Sequence, residues 1–127
     1  MLGDSKPFSG FAVDDTAKAK EFYEGTLGLD VKTYDEDLGL LALDHGDGHE
    51  TFIYRKDDFV PATYTILNFS VPDLDAAVDG LSEKGVAFEL YDGFEQDEKG
   101  IARGPEGPPI AWFRDPAGNI LAVMTME

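Results

Sequence analysis

Apolar and polar positions alternate in two short stretches of the chain, and a turn-forming aspartate follows each one. The stretch FAVDD at 11–15 aligns with FSVPD at 69–73, so that Phe, Val and Asp recur at the same offsets. Alternation with a period of two predicts a strand, and aspartate is a favoured helix N-cap. The chain therefore repeats one unit, in which a strand leads into a helix.

Each repeat continues with the periodicity of an amphipathic helix. After Asp15 the apolar residues fall on one helical face, and Gly25 is predicted to end the helix. After Asp73 the same spacing runs towards Gly85. Because residues three and four apart share a helical face, each repeat is predicted to contain one helix, capped by its aspartate.

Short apolar runs separated by turn formers follow both helices. The first set is predicted at 29–34, 38–43 and 51–54, and the second at 87–91, 101–103, 109–114 and 120–124. One helix for every three or four strands excludes a doubly wound sheet and predicts an α+β fold of two tandem βαβββ modules. We expect a single domain over 1–127, with modules at 8–55 and 64–126 and a linker at 56–63.

The alternation also divides the strand residues between two faces. The more apolar set should pack against the helices, since a helix covers the apolar side of a sheet. This set contains Phe11, Val13, Leu67, Phe69, Val71, Leu121 and Val123. The opposite face is predicted to carry Phe8, Gly10, Ala12, Tyr64, Ile66, Asn68, Ser70, Ile120, Ala122 and Met124.

The net charge of the chain limits the classes of partner that it can bind. The 127 residues include 26 acidic and 10 basic side chains, for a net charge of −16, and no cysteine. Nucleic acid and anionic membrane surfaces would be repelled, so neither is an expected partner. Without an apolar run of membrane-spanning length or a signal peptide, we expect a cytoplasmic protein. The acidity has two interpretations, adaptation to high salt and attraction of cationic ligands.

Three segments of the chain carry a family resemblance. VDDTAKAKEFYEGTLGL in the first module, VPDLDAAVDGLSEKGV in the second and the closing WFRDPAGNILAV occur in the order and spacing of the vicinal oxygen chelate superfamily. The chain resembles this superfamily from Phe8 to Met124. Its members include glyoxalase I, extradiol dioxygenases, fosfomycin-resistance proteins and bleomycin-resistance proteins. The resemblance implies two sheets curled around a shared U-shaped cavity, and a homodimer.

The resemblance also implies metal-ligand positions, which this chain fills with apolar side chains. The two histidine positions fall on Phe8 and Ile66, and the glutamate position falls on Ala122. The predicted strand at 51–54 adds no carboxylate or imidazole. We therefore predict no metal, no cofactor and none of the metal-dependent activities. His45 and His49 could align on a helix, but the glycines between them favour a polar hairpin turn.

A metal-free cavity would bind a small molecule through aromatic, apolar and a few polar side chains. The candidates are Phe8, Tyr54, Tyr64, Ile66, Asn68, Ser70, Gln96, Arg103, Trp112, Ala122 and Met124. Two have structural alternatives: Trp112 could be a core residue, and Arg103 could pair with Asp97 or Glu98. The segment at 91–109 is long enough to cover a site.

No catalytic residue can be assigned, because the sequence shows no placeable Ser-His-Asp pattern, no cysteine and no phosphate-binding glycine loop. The leading hypothesis is a metal-free protein that sequesters an aromatic or cationic compound. One alternative is a lyase, isomerase or dioxygenase-like enzyme of the same superfamily. Another is a dimeric structural or partner-binding module.

Overall fold

The computed structural model describes residues 1–105 and 107–126 and divides the chain into two compact units after Val60. We call the part before this boundary unit 1 and the part after it unit 2. The boundary lies within the 56–63 segment. In chain order the elements are β1 (Ser9–Val13), α1 (Thr16–Lys20), β2 (Asp30–Asp35), β3 (Leu40–Asp44), β4 (Glu50–Arg55), β5 (Thr65–Ser70), α2 (Leu74–Glu83), β6 (Ile110–Arg114) and β7 (Ile120–Met124).

Unit 1 is a βαβββ module. Its sheet has the order β1-β4-β3-β2, in which β1 runs parallel to β4 and the other neighbours are antiparallel. The Asp15 carboxylate caps α1 by accepting a hydrogen bond from the Lys18 N–H at 3.1 Å. The predicted stop at Gly25 is wrong, because the helix continues as a π-helix over Glu21–Thr26. Gly28, with a φ of +75°, supplies the left-handed backbone that follows the helix end.

The core of unit 1 lies between α1 and one face of this sheet. Tyr23 has no exposed surface, and its ring lies 5.8 Å from that of Phe11. Ile53 and Leu43, from the two inner strands, are also fully buried. Phe11, Leu41 and Ile53 are register partners on adjacent strands and share a face. Burying such side chains stabilises the fold by roughly 1.5–3 kcal/mol each.

Unit 2 has the order βαββ and a three-stranded sheet of order β5-β7-β6, in which β5 is parallel and β6 antiparallel to β7. The Asp73 carboxylate caps α2 by accepting a hydrogen bond from the Ala76 N–H at 3.1 Å. The predicted helix-facing side is confirmed here. The cluster around α2 contains Phe69, Val71, Leu74, Ala77, Val78, Phe88, Ile101, Ala111 and Val123.

Two predicted strands of unit 2 are wrong. In the segment 87–91, the structure forms only a single bridge between Phe88 and Phe113. The predicted piece at 101–103 is likewise reduced to bridges at Ala102. Gln96 explains the first loss, because its side chain accepts a hydrogen bond from the Tyr91 N–H and donates one to the Glu89 carbonyl. A side chain thus takes backbone groups that a strand ladder would use.

Candidate functional site

The face of the unit 2 sheet opposite α2 carries several predicted site residues in one row. Trp112 on β6 is the register partner of Ala122 on β7, and Ala122 is the partner of Asn68 on β5. Met124 pairs with Ser70 in the next row. Because register partners, and residues two apart on one strand, point to the same side of a sheet, the two rows present an indole and a thioether on the side away from the helix.

A cleft opens on this face between the strands and the long segment that precedes β6. We call this segment the cleft loop (residues 91–105 and 107–109) and the space the aromatic cleft, with a cavity volume of about 500 Å³. The strands contribute Ile110, Trp112 and Met124 to it. The described loop residues that line it are Gly93, Phe94, Glu95, Ala102, Gly104, Pro105, Gly107 and Pro108.

The rings of Tyr91 and Phe94 both pack against the Trp112 indole at this cleft. The rings of Phe94 and Trp112 lie 5.1 Å apart at 49°, and Tyr91 meets Trp112 edge-on at 5.4 Å. Phe94 keeps 57% of its surface exposed, although aromatic side chains gain most from burial. The wall that it forms is therefore available to an apolar partner.

The Tyr91 hydroxyl oxygen is buried and has no hydrogen-bond partner in the part of the chain that the structure describes. Burial, followed by the charge of Glu89, raises the pKa of Tyr91, so the phenol stays protonated at neutral pH. An unsatisfied buried hydroxyl costs about 1–3 kcal/mol. Among the described residues that line the aromatic cleft, Glu95 carries the formal charge.

On the corresponding face of unit 1, polar and aromatic side chains contact one another beside a second cleft of about 590 Å³, which Phe8, Glu50 and Phe52 help to line. The Tyr34 hydroxyl donates to both carboxylate oxygens of Glu50, at 3.0 and 3.1 Å. The Lys32 ammonium lies 3.2 Å from Asp44 and 3.8 Å from Glu50. Beside this network the Phe52 ring lies 5.5 Å from the ring of Tyr34. We call Lys32, Tyr34, Asp44, Glu50 and Phe52 the unit 1 network.

The pKa values of the unit 1 network follow from its hydrogen bonds. The bond to Asp44 raises the pKa of Lys32, and the bond to Glu50 raises the pKa of Tyr34. The Gly46 N–H, and then Lys32, lower the pKa of Asp44. Glu50 belongs to β4, so the prediction of a last strand without a carboxylate is wrong. It failed because the strand begins one residue before Thr51.

The two histidines lie in the hairpin turn between β3 and β4, which confirms the turn and excludes the helical spacing. The His45 N–H donates to the His49 carbonyl, and their rings lie 5.3 Å apart. The His45 ring also lies 2.9 Å from the Thr51 hydroxyl. Burial, and then the neighbouring His49, lower the pKa of His45. His45 is therefore neutral at physiological pH.

The superfamily's metal positions do not fit a metal in this chain. The Phe8 ring lies 5.0 Å from that of Phe52, Ile66 is aliphatic, and Ala122 is fully buried. These side chains have no nitrogen or oxygen that could bind a cation. Over residues 1–105 and 107–126, no group of three His, Asp or Glu side chains is placed to hold a metal ion.

The side chains of two further candidates form hydrogen bonds or ion pairs with other residues of the protein. The Gln96 amide donates to the carbonyls of Glu89 and Gly100, at 2.9 and 2.8 Å. Arg103 lies 2.7 Å from Asp75 and 3.2 Å from Asp97. The structural alternative for Arg103 therefore describes its observed contacts, although Asp75 was not foreseen as a partner. Both side chains organise the cleft loop.

The remaining candidates are not among the residues that line the aromatic cleft. Tyr54 on β4 is 43% exposed, and Tyr64 just before β5 is 69% exposed. On β5, Asn68 and Ser70 are exposed, and Ile66 is half-buried at an irregular point of the register with β7. Sequence reasoning missed several lining residues, including Phe94, Pro105 and Ile110. The available signal was Phe94, an aromatic residue within an otherwise polar loop.

The two units define an α+β protein in which a βαβββ unit is followed by a βαββ unit. The chain belongs to the Glyoxalase/Bleomycin resistance protein/Dioxygenase superfamily, whose family model matches residues 8–123. This assignment confirms the predicted family and fold class. In the described part of the chain, no helix combines the length and apolar character needed to cross a membrane.

Several relatives resemble the chain over nearly its full length. The uncharacterized protein YraH of Bacillus subtilis (strain 168) is 26% identical, with 90% of this chain and 92% of the relative covered. A superfamily member from Sphaerobacter thermophilus DSM 20745 has a TM-score of 0.73 and 25% identity, covering 98% and 99% of the two chains. TnmS3, an antibiotic binding protein from Streptomyces sp. CB03234, has a TM-score of 0.67 and 27% identity, covering 98% of both chains.

Proposed function

We propose that this protein binds and sequesters a small aromatic compound that carries positive charge, and that it does so without a metal. The aromatic cleft of unit 2 is the observation that carries the proposal. Its volume of about 500 Å³ lies in the range of pockets that hold drug-sized ligands. The apolar side chains of Phe8, Ile66 and Ala122 support the metal-free part of the proposal.

The geometry of the rings favours a flat aromatic ligand. Trp112 and Phe94 are inclined at 49° with their centres 5.1 Å apart, and Met124 adds a polarisable thioether to the lining. Aromatic pairs contribute about 0.5–1.5 kcal/mol beyond the area that they bury. A planar ring system placed against Trp112 would cover the exposed surface of Phe94. Its affinity would therefore depend on both rings.

The charge of the protein favours a cationic substituent on this ligand. Among the described residues of the cleft lining Glu95 carries the charge, and the whole chain carries −16. A field of this sign raises the local concentration of cations and their association rate. An aromatic cation also interacts with the faces of Trp and Phe. TnmS3, described as an antibiotic binding protein, supports a binding role for this family member.

Fluorescence titration tests the proposal, because Trp112 is the only tryptophan of the chain. Proflavine, a planar aromatic cation, is expected to quench Trp112 with a saturable curve. Fluorescein, a planar aromatic anion, is expected to leave the emission unchanged. A wild-type emission that stays unchanged up to high micromolar proflavine would overturn the proposed function.

The variant Phe94→Ala locates the binding site. We expect it to weaken proflavine binding by about ten-fold, the loss that removal of a central aromatic contact commonly causes. Phe8→Ala is the matched control, since Phe8 is also an exposed phenylalanine but belongs to unit 1. Equal losses in the two variants would contradict the assignment of the site to the unit 2 cleft.

A further inference from the structure

The cleft loop carries charged side chains that bond to α2, as well as the residues that line the aromatic cleft. Lys99 and Arg103 reach Asp75 and Asp79 on this helix, while Phe94 and Pro105 line the cleft. α2 packs on the sheet face of Ala111 and Val123, and the cleft lies on the face of Trp112. The loop therefore connects the two sides of the sheet.

The Arg103 guanidinium bonds to a carboxylate on α2 and to a carboxylate within the cleft loop. Its Nη2 lies 2.7 Å from Asp75 Oδ1, and its Nε lies 3.2 Å from Asp97 Oδ2. Asp97 follows the lining residues Phe94 and Glu95, and Arg103 itself directly precedes the lining residues Gly104 and Pro105. One guanidinium thus joins the two limbs of the cleft loop to each other and to α2.

The rest of the loop is held internally. Gln96 bonds to the backbone of Tyr91, Glu89 and Gly100, and Asp97 Oδ1 accepts the Lys99 and Ile101 N–H groups. Ile101 is fully buried in the cluster around α2. These contacts fix the turn of the loop. Backbone contacts of Asp97 with Ile101 and of Gln96 with Ala102 join the limbs near the turn, and the Arg103 side chain joins them beyond that point, next to the cleft lining.

We infer that Arg103 is a positioning residue for the ligand site, which sets the separation of the two loop walls without touching the ligand. This inference rests on the proposed function, since it concerns the same cleft. The planar guanidinium fork can bond to two carboxylates in fixed directions, whereas a lysine ammonium is a point charge. The chemistry of arginine is therefore required at this position.

This role differs from a contribution to global stability. Arg103 and Asp75 have side chains that are 46% and 51% exposed. Ion pairs this exposed contribute little to the free energy of unfolding, because water and salt screen them. Loss of the guanidinium is therefore expected to leave the fold intact and to change the position of the loop walls.

The test compares Arg103→Gln with Arg114→Gln, both made in the full chain. Arg114 is the matched control, because its side chain is 44% exposed and its Nε lies 2.7 Å from Glu89. The first measurement is acrylamide quenching of Trp112 in the ligand-free protein. It is expected to increase in Arg103→Gln and to stay at the wild-type value in Arg114→Gln, since the Phe94 wall shields Trp112.

The second measurement is proflavine affinity. Arg103→Gln is expected to weaken binding about five-fold or more, the size of a typical coupling between remote groups and a ligand site. Arg103→Lys is expected to recover only part of this loss, and the melting temperatures should stay close to that of the wild type. Unchanged quenching and affinity in Arg103→Gln would overturn the inference. A lower melting temperature with both readouts unchanged would also overturn it.

The ligand-free measurement separates this inference from the proposed function. If proflavine does not bind the wild type but acrylamide quenching increases in Arg103→Gln, the positioning role stands and the proposed function fails. If proflavine binds the wild type and both Arg103 variants equally, the proposed function stands and the positioning role fails.

Discussion

The two units follow one plan but use their sheets differently. In unit 1, the face opposite the helix carries the unit 1 network, in which Lys32, Tyr34 and Glu50 bond to one another or to Asp44. The cleft beside this network is lined by residues of the N-terminal segment, the β3–β4 turn and β4 rather than by a long loop. In unit 2, a long loop runs along the corresponding face and leaves the aromatic cleft. The difference lies in the connections. The unit 1 strands after α1 are joined by short turns, whereas residues 84–109 separate α2 from β6.

This comparison shows that the sheet supplies a platform and the loop supplies the site. Ala42 in unit 1 and Ala122 in unit 2 are both fully buried alanines on inner strands. What covers the surrounding surface differs: charged and aromatic side chains of the strands in unit 1, and Phe94 with two prolines in unit 2. Binding capacity is therefore expected to follow the loop.

The largest predicted effect is on the free energy of unfolding, and it tests whether the helix-covered faces of the two sheets contribute equally to stability. Ile53 on β4 and Leu121 on β7 are both fully buried on inner strands. Ile53→Ala and Leu121→Ala are each expected to lower the free energy of unfolding by about 2–5 kcal/mol, because each leaves a cavity in its core. Urea denaturation followed by circular dichroism measures both. A cost below 1 kcal/mol in one unit (roughly that of a surface substitution) would show that the units are not built alike.

Two tyrosines are predicted to respond in opposite directions. Tyr34→Phe removes a hydroxyl bonded to Glu50 and should slightly destabilise the protein, since solvent weakens this exposed hydrogen bond. Tyr91→Phe removes a buried hydroxyl without a partner in the described chain, and should be neutral or stabilising by up to about 1 kcal/mol. Thermal unfolding of the two variants gives the sign directly. Destabilisation by Tyr91→Phe would show that its hydroxyl has a partner.

A smaller change in ligand affinity should distinguish Glu95 in the unit 2 cleft from Glu50 on the unit 1 face. Glu95→Gln removes the charge that the described residues contribute to the cleft lining and is expected to weaken proflavine binding by about three-fold, the order of one surface charge pair. Binding of acridone, a neutral aromatic of similar shape, should not change. Both variants raise the net charge of the protein by one unit. Glu50→Gln in unit 1 should therefore change the affinities for proflavine and acridone only by the effect of this net charge. Equal losses in both variants would indicate long-range attraction alone.

The smallest predicted effects are on the stability of the folded protein at acidic pH. The pKa of Asp75 is lowered by Lys99 and Arg103, and that of Asp44 by the Gly46 N–H and Lys32. Since both folded-state pKa values lie below the unfolded value, their stabilisation is present above the unfolded pKa of about 4 and is lost as pH falls through the folded pKa.

Salt separates the causes of these two shifts. Sodium chloride at about 1 M should raise the pKa of Asp75 more than that of Asp44, because ion pairs are screened while the backbone hydrogen bond remains. Carboxyl carbon chemical shifts measured by NMR during an acid titration report both values. An equal response would mean that the Gly46 hydrogen bond does not dominate at Asp44.

The fold could be predicted from the sequence wherever local pattern and tertiary contacts agree. Both aspartate caps, the βαβββ order of unit 1 and the helix-facing side of unit 2 follow from periodicity, because burial selects one face of a regular element. The strand predicted at 87–91 failed, because the Gln96 side chain, only five residues after Tyr91, forms hydrogen bonds with its backbone groups. The predicted helix stop at Gly25 failed because a glycine marks a stop only where φ is positive, as at Gly28.

The candidate site was less predictable. Trp112 and Met124 were candidates from strand alternation, and both line the cleft. Phe94 and Pro105 were not, because the path of a long loop is set by contacts such as Arg103 with Asp75, which join residues far apart in the sequence. Charge pattern suggested pairing for Arg103 with nearby acids. It gave no means to choose a partner on α2.

Two-dimensional ¹H–¹⁵N NMR of the full chain during a proflavine titration tests the central claim most directly, because it reports on both units at once. We predict that the largest chemical-shift changes occur in the cleft loop, at Trp112 and at Met124, with saturation as proflavine is added. The backbone signals of Tyr34, Glu50 and Phe52 should change little. Saturable changes concentrated at those unit 1 residues, with the cleft loop unaffected, would contradict the account.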